Sequence, residues 1–442
     1  SWSQRPHPTP LPMPINLGLQ RIAKLLGHLN NPQNAYKSIH IAGTNGKGST
    51  LAYISSVLTE AKIKNGKFTS PHIINYHDCI SINNQTYPKS KFDRINQQVI
   101  KINNDLNLEC TEFEILTATA FKIFALEEIE MALLELGVGG RLYATNVLIP
   151  YGETIGTSKG SVVATAITKI GLDHEKLLGG TLLAIAKEKS GIIKYGIPCF
   201  VDSLNDSIVL QAIREKSREV SCPLSVVEPI QANDDNQFIK YSPLKGSYQA
   251  NNLSLAVEIL KSLPYRISEE ILINGISKTN WPGRLQTIQH KSLGSILLDG
   301  AHNESAAIEL GKYLNTKYRK QEPEANMLEG NHTPIILVIG MTKGKAIGNL
   351  LKHVMSENDI VIPTMFTQPE NMPWINSELI STLTSIAKDY CRDVRNIGDD
   401  AHIHQVFQYL KNNKNDKLLE NKPIVVCGSL YLCGDVLREI AN

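Results

Sequence analysis

The chain has 442 residues, 42% hydrophobic and 20% charged, and its 45 Lys and Arg nearly balance 43 Asp and Glu for a formal charge of +2. That balance is ordinary for a globular protein and argues against one that grips nucleic acid electrostatically, so no nucleic-acid partner is expected. No membrane partner is expected either, because the longest apolar run, residues 335–341, includes a glycine and falls far short of the ~18 residues a spanning helix needs.

Seven cysteines are scattered at 79, 110, 199, 222, 391, 427 and 433 without a C-x-x-C pair. They read as small buried side chains in a reducing compartment, not as a zinc site or a disulfide framework. The opening SWSQRPHPTPLP has four prolines and neither the apolar core of a secretory signal nor an Arg-rich amphipathic helix. Residues 1–14 therefore read as a disordered lead-in. The cytoplasm is the expected compartment, with a mitochondrial one still compatible, and a monomer is expected.

From residue 17 onward short β-rich runs alternate with amphipathic stretches, the pattern of an α/β protein with a largely parallel sheet. Strands are expected at 38–42, 131–135, 162–170 and 197–201, and a second series at 295–299, 335–340, 359–363 and 423–427. Asn280-Trp281-Pro282-Gly283-Arg284 punctuates the chain between the two series, as a hinge does. A chain this long exceeds the roughly 250–300 residues that one core serves. Domains are accordingly expected at 15–287 and 288–442, with surface loops at 231–247 and 321–333.

The first strand runs into Gly43-Thr44-Asn45-Gly46-Lys47-Gly48-Ser49, and Leu51, Ile54, Leu58 and Ala61 then share one helical face. A strand, a glycine-rich turn and a helix N-terminus make an anion site of backbone N–H groups and helix dipole. Lys47 can reach β/γ-phosphate oxygens and Ser49 can ligate Mg²⁺, although the spacing departs from the common phosphate-loop pattern. The alternative is a βα turn packed on its own helix.

Downstream, the apolar run 131–134 ends in Glu135, where parallel sheets place ligands and where a carboxylate can hold a metal beside the loop. Gly171-Leu172-Asp173-His174 follows another strand. His174 there is either a nitrogen ligand, unusual for hard Mg²⁺, or a hydrogen-bonding side chain. In Lys187-Glu188-Lys189 physics alone does not choose between the two lysines.

These strings, with Thr69-Ser70-Pro71-His72, WPGR at 281–284 and Asp299-Gly300-Ala301-His302-Asn303, resemble the folate branch of the Mur-ligase superfamily. The ordered matches span Gly43 to Asn303. The wording is nearest to fungal dihydrofolate synthases, and Asn45 and Glu188-Lys189-Ser190-Gly191 differ from the eukaryotic folylpolyglutamate synthase pattern. The resemblance implies an N-terminal P-loop NTPase-like domain and a smaller Rossmann-like C-terminal domain. It also implies ATP and Mg²⁺, and small-molecule substrates: dihydropteroate and L-glutamate.

By resemblance, Gly43, Thr44, Asn45, Gly46, Lys47, Gly48 and Ser49 bind ATP with Asn252, Arg284, Asp299 and His302, the last at the start of a helix. Ser49, Glu135, His174 and Lys189, the last as a carbamate, hold magnesium, with Lys47, Lys189 and His174 catalytic. Thr69, Ser70, Pro71, His72, Arg141, Thr145 and Asn146 face the pterin and glutamate. One departure stands out: the family reads GGRLDATN where this chain has Tyr143 in place of the aspartate. Extension of existing folates by further glutamates is the competing activity. A cell-wall Mur ligase and a non-catalytic nucleotide-binding regulator are the other rivals.

Overall fold

The computed structural model describes residues 18–137, 143–156, 158–173, 180–230, 238–319 and 333–442. The lead-in at 1–14, Arg141 and His174 lie outside the described residues.

The chain first builds β1 (Lys37–Ala42), β2 (Asn65–Phe68), β3 (Ile80–Ile82), β4 (Gln85–Thr86) and β5 (Met131–Glu135). A small hairpin, β6 (Thr154–Ile155) and β7 (Ser158–Lys159), precedes β8 (Val162–Ile167), β9 (Cys199–Asp202) and β10 (Leu224–Val227). Apart from that hairpin these form one sheet, ordered β10-β9-β8-β1-β5-β2-β3-β4, in which β3 and β4 alone run antiparallel to their neighbours. A second sheet takes β11 (Gln286–His290), β12 (Gly294–Asp299), β13 (Ile336–Ile339), β14 (Ile360–Pro363), β15 (Asp393–Val394) and β16 (Ile424–Cys427) in the order β11-β12-β16-β13-β14-β15. Only its β11–β12 pair is antiparallel. The switch from one sheet to the other falls between Trp281 and Gln286.

The central strands are buried on both faces, which is why 131–134 reads as a continuous apolar run and 39–42 is broken only by the buried His40. The strand expected at 162–170 stops at Ile167. Thr168 there donates its N–H to the Ala42 carbonyl (2.8 Å) and Lys169 pairs with Asn45, so the chain leaves the ladder to wrap the glycine loop. The sequence Asn65-Gly66-Lys67-Phe68 shows no alternation, yet it is a buried strand because β5 and β3 pair with it on either side.

The helix after the glycine loop, Lys47–Glu60, is buried all round from Ser49 to Leu58 and not along one face. The sheet lies on one side and the helices Gln249–Ser262 and Glu269–Ser277 on the other. Ser56 donates to the Gly275 carbonyl at 2.5 Å across that contact. A helix packed from two sides holds its N-terminus rigidly, which fixes the loop in front of it.

Candidate active site

Parallel pairing of β1 with β5 sets Ile41 opposite Glu135, and the Leu136 N–H donates to the Ile41 carbonyl at 2.8 Å. The glycine loop therefore opens directly beside the Glu135 carboxylate. Two of its glycines are required by geometry: Gly43 (φ +148°) and Gly46 (φ +93°) lie where L-residues rarely go. A Cβ on Gly43 would collide with the Thr168 side chain, and one on Gly46 with Asn252. Lys47 opens the helix and folds back, donating to the carbonyls of Gly43 (2.9 Å) and Thr44 (3.2 Å), with Nζ 3.8 Å from Glu135 Oε1. Two residues on, buried Ser49 accepts a hydrogen bond from Gln249 Nε2 at 3.3 Å. Thr44 Oγ1 ties the loop to the main chain of Gly171.

The lysine ambiguity resolves at once. Lys187 is exposed, whereas Lys189 is buried and its Nζ donates to the same Gly43 carbonyl at 2.9 Å. Burial, with the Lys47 charge adding to it, pulls Lys189 down to about 7. Burial likewise pushes Lys47 toward its neutral form, against the pull of Glu135. Glu135 is raised by burial and drawn back by Lys47, Arg284 and Lys189, and it makes no hydrogen bond to another described residue. An acceptor without donors beside a hydroxyl suits a hard cation that takes few protein oxygens and completes its shell from water and phosphate. Among the described residues no cluster of three or more His, Cys, Asp or Glu could hold a metal alone.

Arg284, just before the second sheet, and His302 and Lys345, in the domain built on that sheet, line the same cavity as the loop, Glu135, Asp173 and Lys189. Asp173, passed over in the sequence, links the halves: Lys345 Nζ is 3.4 Å from Oδ1 and His302 Nε2 is 3.6 Å from Oδ2. Lys345 too went unremarked, since one lysine in a loop carries no pattern. His302 precedes the helix Glu304–Leu314 and does not open it, because Asn303 is the cap and accepts from Ala306 N–H at 3.0 Å. Asn45 of the glycine loop reaches across: its Nδ2 donates to Asn303 Oδ1 (3.1 Å) and Ser305 Oγ (2.6 Å), and Asn303 Nδ2 returns a bond to Asn45 Oδ1 (2.9 Å).

Asp299 and Asn252 are not among the residues lining the cavity. Buried Asp299 accepts from the N–H groups of Leu285 (2.9 Å) and Ala301 (2.8 Å), fixing the turns that carry Arg284 and His302. Asn252 donates to Gln249 Oε1 at 3.0 Å beneath Gly46.

The cavity, about 330 Å³, continues away from the loop into an aromatic slot. Ser70, Pro71 and His72 line it, while Thr69 sits behind them with its N–H on the Cys79 carbonyl (3.0 Å). His72 is packed between Tyr76 and Tyr431, and burial, with the charges of Arg438 and His77, holds it neutral, down at about 4. Tyr143, the departure from the family pattern, lines the slot with its ring 4.5 Å from that of Phe113. Thr145 and Asn146 lie outside the lining. Thr145 Oγ1 bonds His40 Nε2 (2.9 Å), while Asn146 takes Lys194 Nζ (2.7 Å) and donates to the Gly191 carbonyl (3.2 Å).

A glycine-rich loop on one sheet, faced across one cavity by cations carried by a second, is the organisation of the two-domain Mur-ligase-like fold. The profile described as "Dihydrofolate synthetase, C-terminal domain" matches residues 284–439. The chain is 40% identical to a dihydrofolate synthetase of Saccharomyces cerevisiae over 96% of its length and 98% of that protein's. It is 38% identical to a probable dihydrofolate synthetase of Schizosaccharomyces pombe, covering 97% and 99%. A folylpolyglutamate synthase of Mycobacterium tuberculosis, solved with ADP and AMPPCP, shares the fold with a TM-score of 0.78 at 22% identity, covering 96% of each chain. The chain belongs to the dihydrofolate synthetase family.

Proposed function

We propose that the protein joins L-glutamate to dihydropteroate at the expense of ATP, giving dihydrofolate, ADP and phosphate. The observation that carries this reading is the single chamber running from the glycine loop to the Phe113–Tyr143 slot. Its one end suits a polyphosphate and its other a flat aromatic acid.

A carboxylate is a poor electrophile. An oxygen of the dihydropteroate carboxylate attacks the γ-phosphorus, ADP leaves, and an acyl phosphate results. The α-amine of glutamate, deprotonated, then attacks the acyl carbon; the tetrahedral adduct expels phosphate, which carries off the amine's second proton. The protein's part is positioning and charge compensation. Lys47 turns from the Gly43 and Thr44 carbonyls onto the transferring phosphoryl group, the loop N–H groups hold the nucleotide phosphates, and Arg284, His302 and Lys345 meet them from above. Bound Mg²⁺ supplies further charge neutralisation; Ser49 and Glu135 would hold it, with His174 and a carbamate on Lys189 at a second ion. Carbamate formation joins the Lys189 amine to CO₂ with loss of one proton, and burial at about 7 leaves the neutral amine available. The aromatic slot excludes water from the acyl phosphate.

The test is product formation from ATP, Mg²⁺, glutamate and dihydropteroate, set beside a reduced folate monoglutamate and a UDP-muramyl acceptor. Dihydrofolate from the first supports the reading; turnover of the muramyl compound alone overturns it. Comparable turnover of the monoglutamate adds chain extension to the activity.

A further inference from the structure

The mechanism leaves carboxylates of the cavity unused, among them that of Glu112. The helix Glu112–Leu126 starts with a capping box in which Glu114 N–H bonds Thr111 Oγ1 (3.2 Å) and Thr111 N–H bonds Glu114 Oε1 (3.0 Å). Glu114 Oε1 also takes Arg21 Nε at 2.9 Å, so that oxygen is committed to the fold, while Glu114 Oε2 is buried without a partner among the described residues. Glu112, the first helical residue, lines the cavity together with Glu114 but takes no part in the capping box. Its carboxylate faces the Tyr76 phenol, and its Oε1 is buried without a hydrogen-bond partner among the described residues. Across the same cavity the second domain presents Trp374, whose indole Nε1 is also buried without a partner. Buried polar atoms are rarely left unmade, and three on residues lining one chamber, Glu112 Oε1, Glu114 Oε2 and Trp374 Nε1, mark where a ligand supplies missing partners.

The slot fixes what that ligand must be. Tyr76, Phe113, Tyr143 and Trp374 demand a flat ring, Glu112 demands N–H donors on its edge, and Trp374 demands an acceptor. An amino-pyrimidinone, with an exocyclic NH₂ beside a ring N–H and with carbonyl or ring-nitrogen acceptors elsewhere, meets all three. Tyr143 occupies the position where the family pattern has an aspartate, and its ring leans on Phe113, the neighbour of Glu112.

We propose that Glu112 is the specificity-determining residue for the acceptor, its carboxylate reading the amino-pyrimidinone edge of the pteridine ring while Trp374 closes over the ring's acceptor side. This rests on the function proposed above. Burial, only partly offset by the Tyr76 phenol, pushes Glu112 up to about 8, the state of an acceptor still short of donors, and two ligand N–H groups would favour the ionised form.

The experiment compares wild type, Glu112→Ala and Glu112→Gln with two acceptors: dihydropteroate and its 2-desamino analogue, which lacks the exocyclic amine. Binding is read without turnover from quenching of tryptophan fluorescence, since Trp281 and Trp374 both line the cavity. Glu112→Ala should weaken dihydropteroate binding by about 10- to 100-fold and leave the KM for ATP within about twofold. The analogue should bind wild type as weakly as dihydropteroate binds the variant, and lose little more in the variant. Unchanged dihydropteroate binding, or equal loss for both acceptors, would overturn the assignment and leave Glu112 a structural residue. A wild type that binds dihydropteroate but never turns it over would instead overturn the function, with the binding comparison still deciding the role of Glu112.

Discussion

Asn45 offers the sharpest perturbation, because it belongs to the glycine loop yet spends its carboxamide on the other domain. Asn45→Ala removes three hydrogen bonds, two donated to Asn303 Oδ1 and Ser305 Oγ and one received from Asn303 Nδ2. Asn303 Oδ1 keeps its cap bond to Ala306 N–H and its bond from Ser305, so the net loss is nearer two bonds than three. At about 0.5–1.5 kcal/mol each, the closed arrangement loses about 1–3 kcal/mol. If closure is needed for phosphoryl transfer, kcat/KM falls by about 5- to 150-fold. Asn45 also lines the cavity proposed for the nucleotide, so the loss alone is ambiguous; Ser305→Ala, outside the loop, resolves it. That variant removes the 2.6 Å bond and should cost part of the same energy. The double variant should then fall short of the product of the two single effects. The assay is steady-state ADP release at varied ATP. Strict multiplicativity, or a kcat/KM for Asn45→Ala within about twofold of wild type, would refute the clasp.

Lys47→Met should lower kcat by about 10²–10³-fold, the usual cost of one donor aimed at developing charge, and single-turnover ADP formation would show it. Lys189 titrates near 7, so its neutral amine gains population as pH rises from 6 to 8, and carbamate should rise with it. Carbon-13 NMR in ¹³CO₂ should show a carbamate resonance that Lys189→Ala removes. His40 is buried with its basicity pulled down to about 3, first by burial and then by Lys194, against 6.5 when unfolded. The unfolded chain therefore binds the extra proton between those values, and this contribution to stability is complete above about 6.5 and lost as pH falls. Urea unfolding at pH 6.5 and 5 should differ by roughly 2 kcal/mol on this account, and His40→Asn should shrink the gap.

How much of this the sequence discloses depends on whether the physics is local. The central strands were legible because burial on both faces writes a nearly continuous apolar run, and the glycine loop because its φ values admit little else. The β2 strand was not, since its pairing comes from residues far along the chain. Lys189 and Lys187 are alike in sequence; only the fold buries one against the Gly43 carbonyl. Asp299 looked like a nucleotide contact, whereas the structure shows its two oxygens bonded to the turns beside it. Glu112 and Trp374 line one cavity from positions over two hundred and fifty residues apart, and no local pattern encodes that. The fractional helix face read at 51–61 missed the second layer packed behind it.

The central claim is that ATP activates the acceptor's own carboxylate. Dihydropteroate labelled with ¹⁸O in that carboxylate decides it directly, by mass analysis of the phosphate released during dihydrofolate synthesis. An acyl phosphate requires one ¹⁸O to pass into phosphate at each turnover. Unlabelled phosphate formed alongside dihydrofolate would contradict the account.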